Sequence, residues 1–217
     1  MAAVDQDTRW TDTGASKRTG RSLVARRKDM AESVRNIAVL VGSLRKGSLN
    51  RKMANAIRGM APEQLKLEIV EIGNLPLYNA DLEETPPSQW VQFRERIKSA
   101  DAVLFVTPEY NRSVPAGLKN AIDVGSRPYG KSVWERKPAA VVSVSPGAIG
   151  GFGANHHLRQ SLVFLDMPAM PQPEMYIGGV DKLVDAEGVV LNDRTKALLE
   201  KFLDKFCTWI ERNMRAA

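Results

Sequence analysis

Three short segments concentrate the side chains that could do chemistry. The first is Gly42-Ser43-Leu44-Arg45-Lys46-Gly47-Ser48-Leu49-Asn50. It sets hydroxyls, a carboxamide and two cations between an apolar run and a helical pattern. Free backbone N–H groups at a helix start attract phosphate, and Ser, Arg and Asn side chains add donors. A P-loop needs Lys and then Ser or Thr after its last glycine, and Ser48-Leu49 follows Gly47. A dinucleotide fingerprint needs glycine two positions after Gly42, and Leu44 stands there. ATP and pyrophosphate chemistry are therefore disfavoured, and a single terminal phosphate fits better. A polar helix cap with nothing bound is the alternative.

The second segment is Thr107-Pro108-Glu109-Tyr110-Asn111-Arg112-Ser113-Val114-Pro115. Pro, Tyr and Asn after a buried strand can form a rigid shelf for a flat ring; loop packing alone explains Tyr110 equally well. The third is Ser145-Pro146-Gly147-Ala148-Ile149-Gly150-Gly151. Its glycines let backbone approach a ligand closely, with N–H groups free to face a polar edge.

The elements that must carry these segments are legible from hydrophobic period. Short apolar runs over residues 36–41, 65–72, 102–106 and 139–144 read as buried strands. Residues 169–177 read as a proline-interrupted edge strand. Helical patterns cover 48–60, 88–100, 114–124, 154–166 and 193–213, the third starting near Pro115. Residues 73–87 are rich in Pro, Gly and Asn and read as loop. Strand and helix alternate five times. That predicts an α/β fold, a doubly wound five-stranded parallel sheet of order 2-1-3-4-5 with helices on both faces, the flavodoxin-like arrangement. Ligands in such a sheet sit beyond the carboxyl ends of the strands, where the three segments fall.

Composition narrows the function classes. The chain has 217 residues, 43% hydrophobic and 26% charged, which suits one folded domain. No run approaches a membrane span. Cys207 is the sole cysteine; no internal disulfide or thiolate cluster is possible, and a cytoplasmic setting is expected. Two histidines, His156 and His157, leave little for a metal site, and none is expected. The pair reads as capping or interface packing, and Cys207 as a packing residue. The net charge of +6 is spread along the chain, so no nucleic-acid partner is expected. Residues 1–34 lack apolar periodicity and carry mixed charge, as expected of a disordered tail. Residues 35–217 form the expected domain.

Taken together, GSLRKGSLN, TPEYN-SVPAGLKNAID and SPGAIGG followed by HLRQ resemble the NADPH-dependent FMN reductase family, in its bacterial chromate and quinone reductase branch. The resemblance covers roughly residues 35–214. It implies a non-covalent FMN and NADPH or NADH as hydride donor. Ser43, Arg45, Ser48, Leu49 and Asn50 would hold the FMN phosphate. Pro108, Glu109, Tyr110 and Asn111 would line the isoalloxazine and ribityl side. Ser145, Gly147 and Gly150 would approach the pyrimidine edge. It also implies a ping-pong reduction of quinones, chromate or similar acceptors, and a homodimer or homotetramer. The chemistry resides on the flavin, so no catalytic side chain is expected. Arg112, following PEYN, is the candidate for the NADPH phosphate or an anionic acceptor; a salt bridge across a subunit boundary, as to Glu174, is its alternative. Tyr78 and Asp81 could border a neighbouring subunit's site. An electron carrier of the same fold, or a module that lost the cofactor, remain open as alternatives.

Overall fold

A computed structural model describes residues 34–185 and 187–214. The tail expected before residue 35 therefore lies outside the described residues, apart from Val34. Five strands, β1 (Arg35–Val41), β2 (Leu65–Val70), β3 (Ala102–Thr107), β4 (Ala139–Val144) and β5 (Met175–Ile177), alternate with five helices. The helices are α1 (Leu49–Gly59), α2 (Ser88–Lys98), α3 (Ala116–Gly125), α4 (Phe152–Phe164) and α5 (Asp193–Met214). The sheet order is β2-β1-β3-β4-β5, and every pairing is parallel. The flavodoxin-like fold predicted from periodicity is the one observed.

Alternation along the central strands divides the core in two. Ile37, Val39, Val41, Leu104 and Val142 pack with Met53 and Ile57 of α1 and with Leu199, Phe202 and Phe206 of α5. Their neighbours Leu40, Phe105 and Val141 face the other way, towards Trp90 and Phe93 of α2, Leu118 of α3 and Leu158 of α4. A strand's side chains point to opposite faces in turn, so one apolar run serves both layers.

Element ends differ from the sequence reading where a specific group intervenes. β5 does not begin at Ala169: Pro171 and Pro173 lack the N–H a ladder needs, so Ala169 makes one bridge to Ala139 and the strand proper is Met175–Ile177. β2 stops at Val70, and exposed Glu71 turns to an ion pair with Arg51. Pro115 is not in the first turn of α3; its extended ψ of 143° makes it the N-cap. α4 starts two residues earlier than predicted because Gly150 and Gly151, both at positive φ, turn the chain into it. His156 and His157 consequently lie beyond its first turn. Among the described residues no helix is long and apolar enough to cross a membrane.

Candidate cofactor site

β1 and β3 are neighbours, yet their following helices pack on opposite faces of the sheet. The crevice at this reversal is where ligands bind in open α/β sheets. The chain closes tightly there. The Gly42 N–H donates to the Val106 carbonyl at 2.9 Å. A Cβ at Gly42 would stand 3.0 Å from Thr107 Oγ1 and 3.1 Å from Pro108 Cδ. Only glycine lets the first and second segments approach this closely.

The first segment ends at a built helix start. Ser48 caps α1, its hydroxyl accepting from the Arg51 N–H at 3.1 Å. Ser43, Ser48 and Asn50 are all buried, whereas Leu44, Arg45, Lys46 and Gly47 are exposed and Leu49 is half-buried. The Asn50 amide reaches the Val144 carbonyl at a long 3.5 Å. Its carbonyl oxygen is buried with no hydrogen-bond partner. A buried acceptor without a donor costs about 1–3 kcal/mol, and a ligand donor at this place would relieve it.

Leu44, which the sequence reading passed over, fastens this segment. Its terminal carbons lie 3.3 Å from where a Cβ would stand on Gly73, and equally on Gly117. Two glycines far apart in sequence thus make one notch. Their spacing carries no local period, so nothing in the sequence announced it.

In the second segment Tyr110 and Ser113 exchange backbone hydrogen bonds at 3.1 and 2.9 Å. The residues between them, Asn111 and Arg112, have φ of 50° and 63°. This is the mirror-image two-residue turn, where Asn is at home and Arg is strained. Pro108 is buried and Tyr110 is half exposed. Glu109 does not reach outward as a flexible acid. Its carboxylate accepts from the Ala154 N–H of α4 at 3.1 Å and meets the Arg112 guanidinium at 3.5 Å. Negative charge at a helix N-terminus is stabilising. Within its own chain Arg112 pairs with Glu109, and its side chain remains 75% exposed.

The third segment is a tight glycine turn. The Gly150 N–H donates to the Gly147 carbonyl at 3.2 Å, and the Gly147 N–H donates to Ser145 Oγ at 3.0 Å. A Cβ at Gly150 would sit 2.6 Å from the Tyr176 carbonyl carbon. Gly147 is exposed, and its Cβ would meet only Ser145 Oγ at 3.4 Å. Behind the turn, the buried Asn155 amide donates to Ser143 Oγ at 3.2 Å and to the Met175 carbonyl at 3.3 Å. Its oxygen accepts from Arg159 at 2.9 Å. These bonds seat α4 on β4 and β5.

The histidines find partners on either side of α4. His156 Nε2 lies 3.0 Å from the Tyr176 hydroxyl, and His157 Nδ1 lies 3.1 Å from Ser113 Oγ. Tyr78 and Asp81 belong to the loop after β2, where Tyr78 stacks on Trp90 at 5.3 Å. Its N–H donates to Asn120 Oδ1 at 2.8 Å, and Asp81 is exposed. Cys207 is half-buried, and its desolvation pushes the thiol pKa up, which suits packing rather than reactivity.

Comparison with known proteins agrees with this geometry. Residues 35–182 match the NADPH-dependent FMN reductase family model. A quinone reductase from Pseudomonas putida is 65% identical over 181 residues, 83% of this chain and 97% of that protein. A 2-hydroxy-1,4-benzoquinone reductase from Burkholderia sp. is 45% identical over 174 residues, 80% of this chain and 95% of its own length. Among solved structures, FerB, a flavoenzyme NAD(P)H:(acceptor) oxidoreductase from Paracoccus denitrificans, superposes with a TM-score of 0.80. It is 43% identical, and the match covers 83% of this chain and 99% of that one. With phosphate-seeking, shelf and glycine segments gathered at one sheet reversal, and this kinship over most of its length, the chain belongs to the NADPH-dependent FMN reductase family.

Proposed function

We propose that the protein is an NAD(P)H-dependent, FMN-containing quinone reductase. The observation that carries this reading is the unpartnered Asn50 oxygen, buried at the start of α1 beside the carboxyl end of β4. The residues present fit the cofactor. Ser43, Ser48 and Asn50, with the exposed backbone and cation of Arg45, would hold a terminal phosphate at the start of α1. Leu49 would pack beside it. Pro108, Glu109, Tyr110 and Asn111 form a shelf stiffened by its own turn. Ser145, Gly147 and Gly150 present backbone to a polar ring edge.

The chemistry FMN would supply there is two-electron transfer from NAD(P)H to an acceptor in alternating half-reactions. The chain's part is positioning. The Glu109 carboxylate ties the shelf to α4, so the second and third segments hold a fixed separation. Backbone N–H groups of the glycine turn would favour negative charge at the ring edge. Arg112, strained and largely exposed beside the shelf, would attract a phosphate or an anionic acceptor such as chromate; strain of this kind clusters at functional sites. Arg112→Ala should raise KM for NADPH and for chromate together. Unchanged values for both would assign Arg112 to structure alone. The protein would act as a homodimer or homotetramer in the cytoplasm.

The primary test is an absorption spectrum of the purified protein, followed by NADPH without air. A flavin band that bleaches supports the reading, and quinone and chromate turnover with parallel initial-rate lines would support the alternating scheme. A band that persists would indicate an electron carrier served by a partner reductase. No band after soaking with FMN would overturn the reading.

A further inference from the structure

Arg112 is a loosely held cation. The guanidinium groups of Arg35, Arg51, Arg94 and Arg96 meet their carboxylates at 2.6–2.7 Å. Arg112 stands 3.5 Å from Glu109. A charge-assisted pair of this kind normally closes to about 2.7–2.9 Å, so this one is stretched.

The stretch has its cause on the carboxylate side. Glu109 Oε2 accepts from the Ala154 N–H at 3.1 Å. Gly151, the N-cap of α4, has no side chain to offer that end, and Glu109 caps the helix from 45 positions away. A Cβ on Gly153 would stand 2.9 Å from Glu109 Oε2 and 2.9 Å from the Arg112 carbonyl oxygen. The bare first turn of α4 thus beds the carboxylate and the backbone of the two-residue turn side by side. The positive end of the helix dipole draws the carboxylate inward, and its side chain is 16% exposed against 75% for Arg112. The Arg112 backbone is pinned in the same contact, at φ 63°, and does not follow.

A guanidinium carries five N–H donors. Glu109 engages one nitrogen, Nη1, at long range, and the exposed remainder of the group faces solvent. An anion arriving there meets those donors with the Glu109 charge close behind them. A neutral ring meets no such opposition. We propose that Glu109 sets the acceptor preference of the site: its carboxylate offsets Arg112, and so disfavours anionic acceptors such as chromate relative to neutral quinones. Specificity is a difference of affinities, and an opposing charge is one way to build it. The acceptor half of this inference rests on the flavin-site reading; the coupling of Glu109 to Arg112 does not.

Glu109→Gln isolates the charge. The glutamine carbonyl keeps the Ala154 bond, so the shelf stays joined to α4, while its amide turns donors towards Arg112 and releases the cation. Sulfate, a dianion shaped like chromate that is not reduced, reads the coupling by calorimetric titration of the full chain. The binding that Arg112→Ala removes should strengthen about two- to fivefold in Glu109→Gln, the worth of an exposed charge pair. Sulfate affinity that stays at the wild-type value overturns the proposal.

In FMN-loaded protein, the ratio of kcat/KM for chromate to that for benzoquinone should rise by a similar factor in Glu109→Gln. Flavin content cancels in this ratio. The double variant Glu109→Gln/Arg112→Ala should match Arg112→Ala alone. A ratio that does not move overturns the proposal, as does one that rises equally without Arg112. Should Glu109→Gln fail to fold by circular dichroism, Glu109→Asp decides: it withdraws the carboxylate by one methylene from a pair already stretched, and an unchanged ratio and sulfate affinity there overturn the proposal. The absorption spectrum of the same wild-type sample separates the two readings. A protein that stays colourless with FMN refutes the flavin site, and the sulfate order then upholds or overturns the Glu109–Arg112 coupling by itself.

Discussion

The side chain of Leu44 sits against Gly117, its Cδ1 only 3.3 Å from where a Cβ would stand on that glycine. The contact locks the exposed tip of the first segment onto the start of α3. Leu44→Ala should therefore weaken FMN binding several-fold. Leu44 is 55% exposed, so global stability should change by less than about 1 kcal/mol. Gly117→Ala should gain up to about 1 kcal/mol of helix propensity while displacing Leu44 and lowering FMN affinity. Fluorescence titration of apoprotein with FMN, beside urea unfolding, reads both quantities.

Asn50 predicts an opposition between stability and affinity. Asn50→Leu removes a buried acceptor that lacks a donor. The apoprotein should be unchanged or steadier by about 1 kcal/mol. FMN affinity should fall at least tenfold. A variant that loses stability and keeps affinity would place the Asn50 oxygen in packing instead.

The glycine turn separates two neighbours by their surroundings. Gly150 has φ of 64°, and its added Cβ would collide with the Tyr176 backbone. Gly150→Ala should cost about 1–3 kcal/mol through strain at positive φ. Gly147→Ala meets only Ser145 Oγ at 3.4 Å, so its thermal midpoint should hold, and any effect should appear in FMN affinity or turnover. Thermal unfolding of the two apoproteins checks this ordering.

Acid stability should carry the mark of Arg51 and Glu71. The guanidinium binds both carboxylate oxygens at 2.7 Å, and this hydrogen bonding holds Glu71 below the usual carboxylate range. A depressed folded pKa contributes stability above the unfolded value, about 4.3. That contribution is lost as pH falls through the folded value. Glu71 is 63% exposed and Arg51 35%, so solvent screening keeps it to less than about 1 kcal/mol. Wild type and Glu71→Gln should differ most near neutral pH and converge below pH 4. Denaturant titrations across that range measure the gap.

The strands were legible because β1, β3 and β4 are short apolar runs buried on both faces. Sheet order followed from their regular alternation with helices. β5 was overread, since Pro171 and Pro173 lack the N–H a ladder needs, which leaves one bridge at Ala169 and a strand of three residues. The cofactor segments were legible as local patterns of donors and glycines. Their fastenings were not. Glu109 meets Ala154 across 45 positions, and Leu44 meets two remote glycines. Contacts like these arise from topology, and no local period encodes them.

The division of the interior by the sheet bears on how this protein can change. The two clusters are separated by the sheet, so paired substitutions well apart on opposite sides, such as Ile57 with Phe93, should combine additively. Volume lost at Ile57 must be refilled from within its own cluster, at Phe202 or Phe206, and never from Phe93. Heat-tolerant versions can accordingly be sought by redesigning the layer beneath α1 and α5. The layer beneath α2, α3 and α4 keeps its shape meanwhile, and the two halves of the interior are free to change at different speeds.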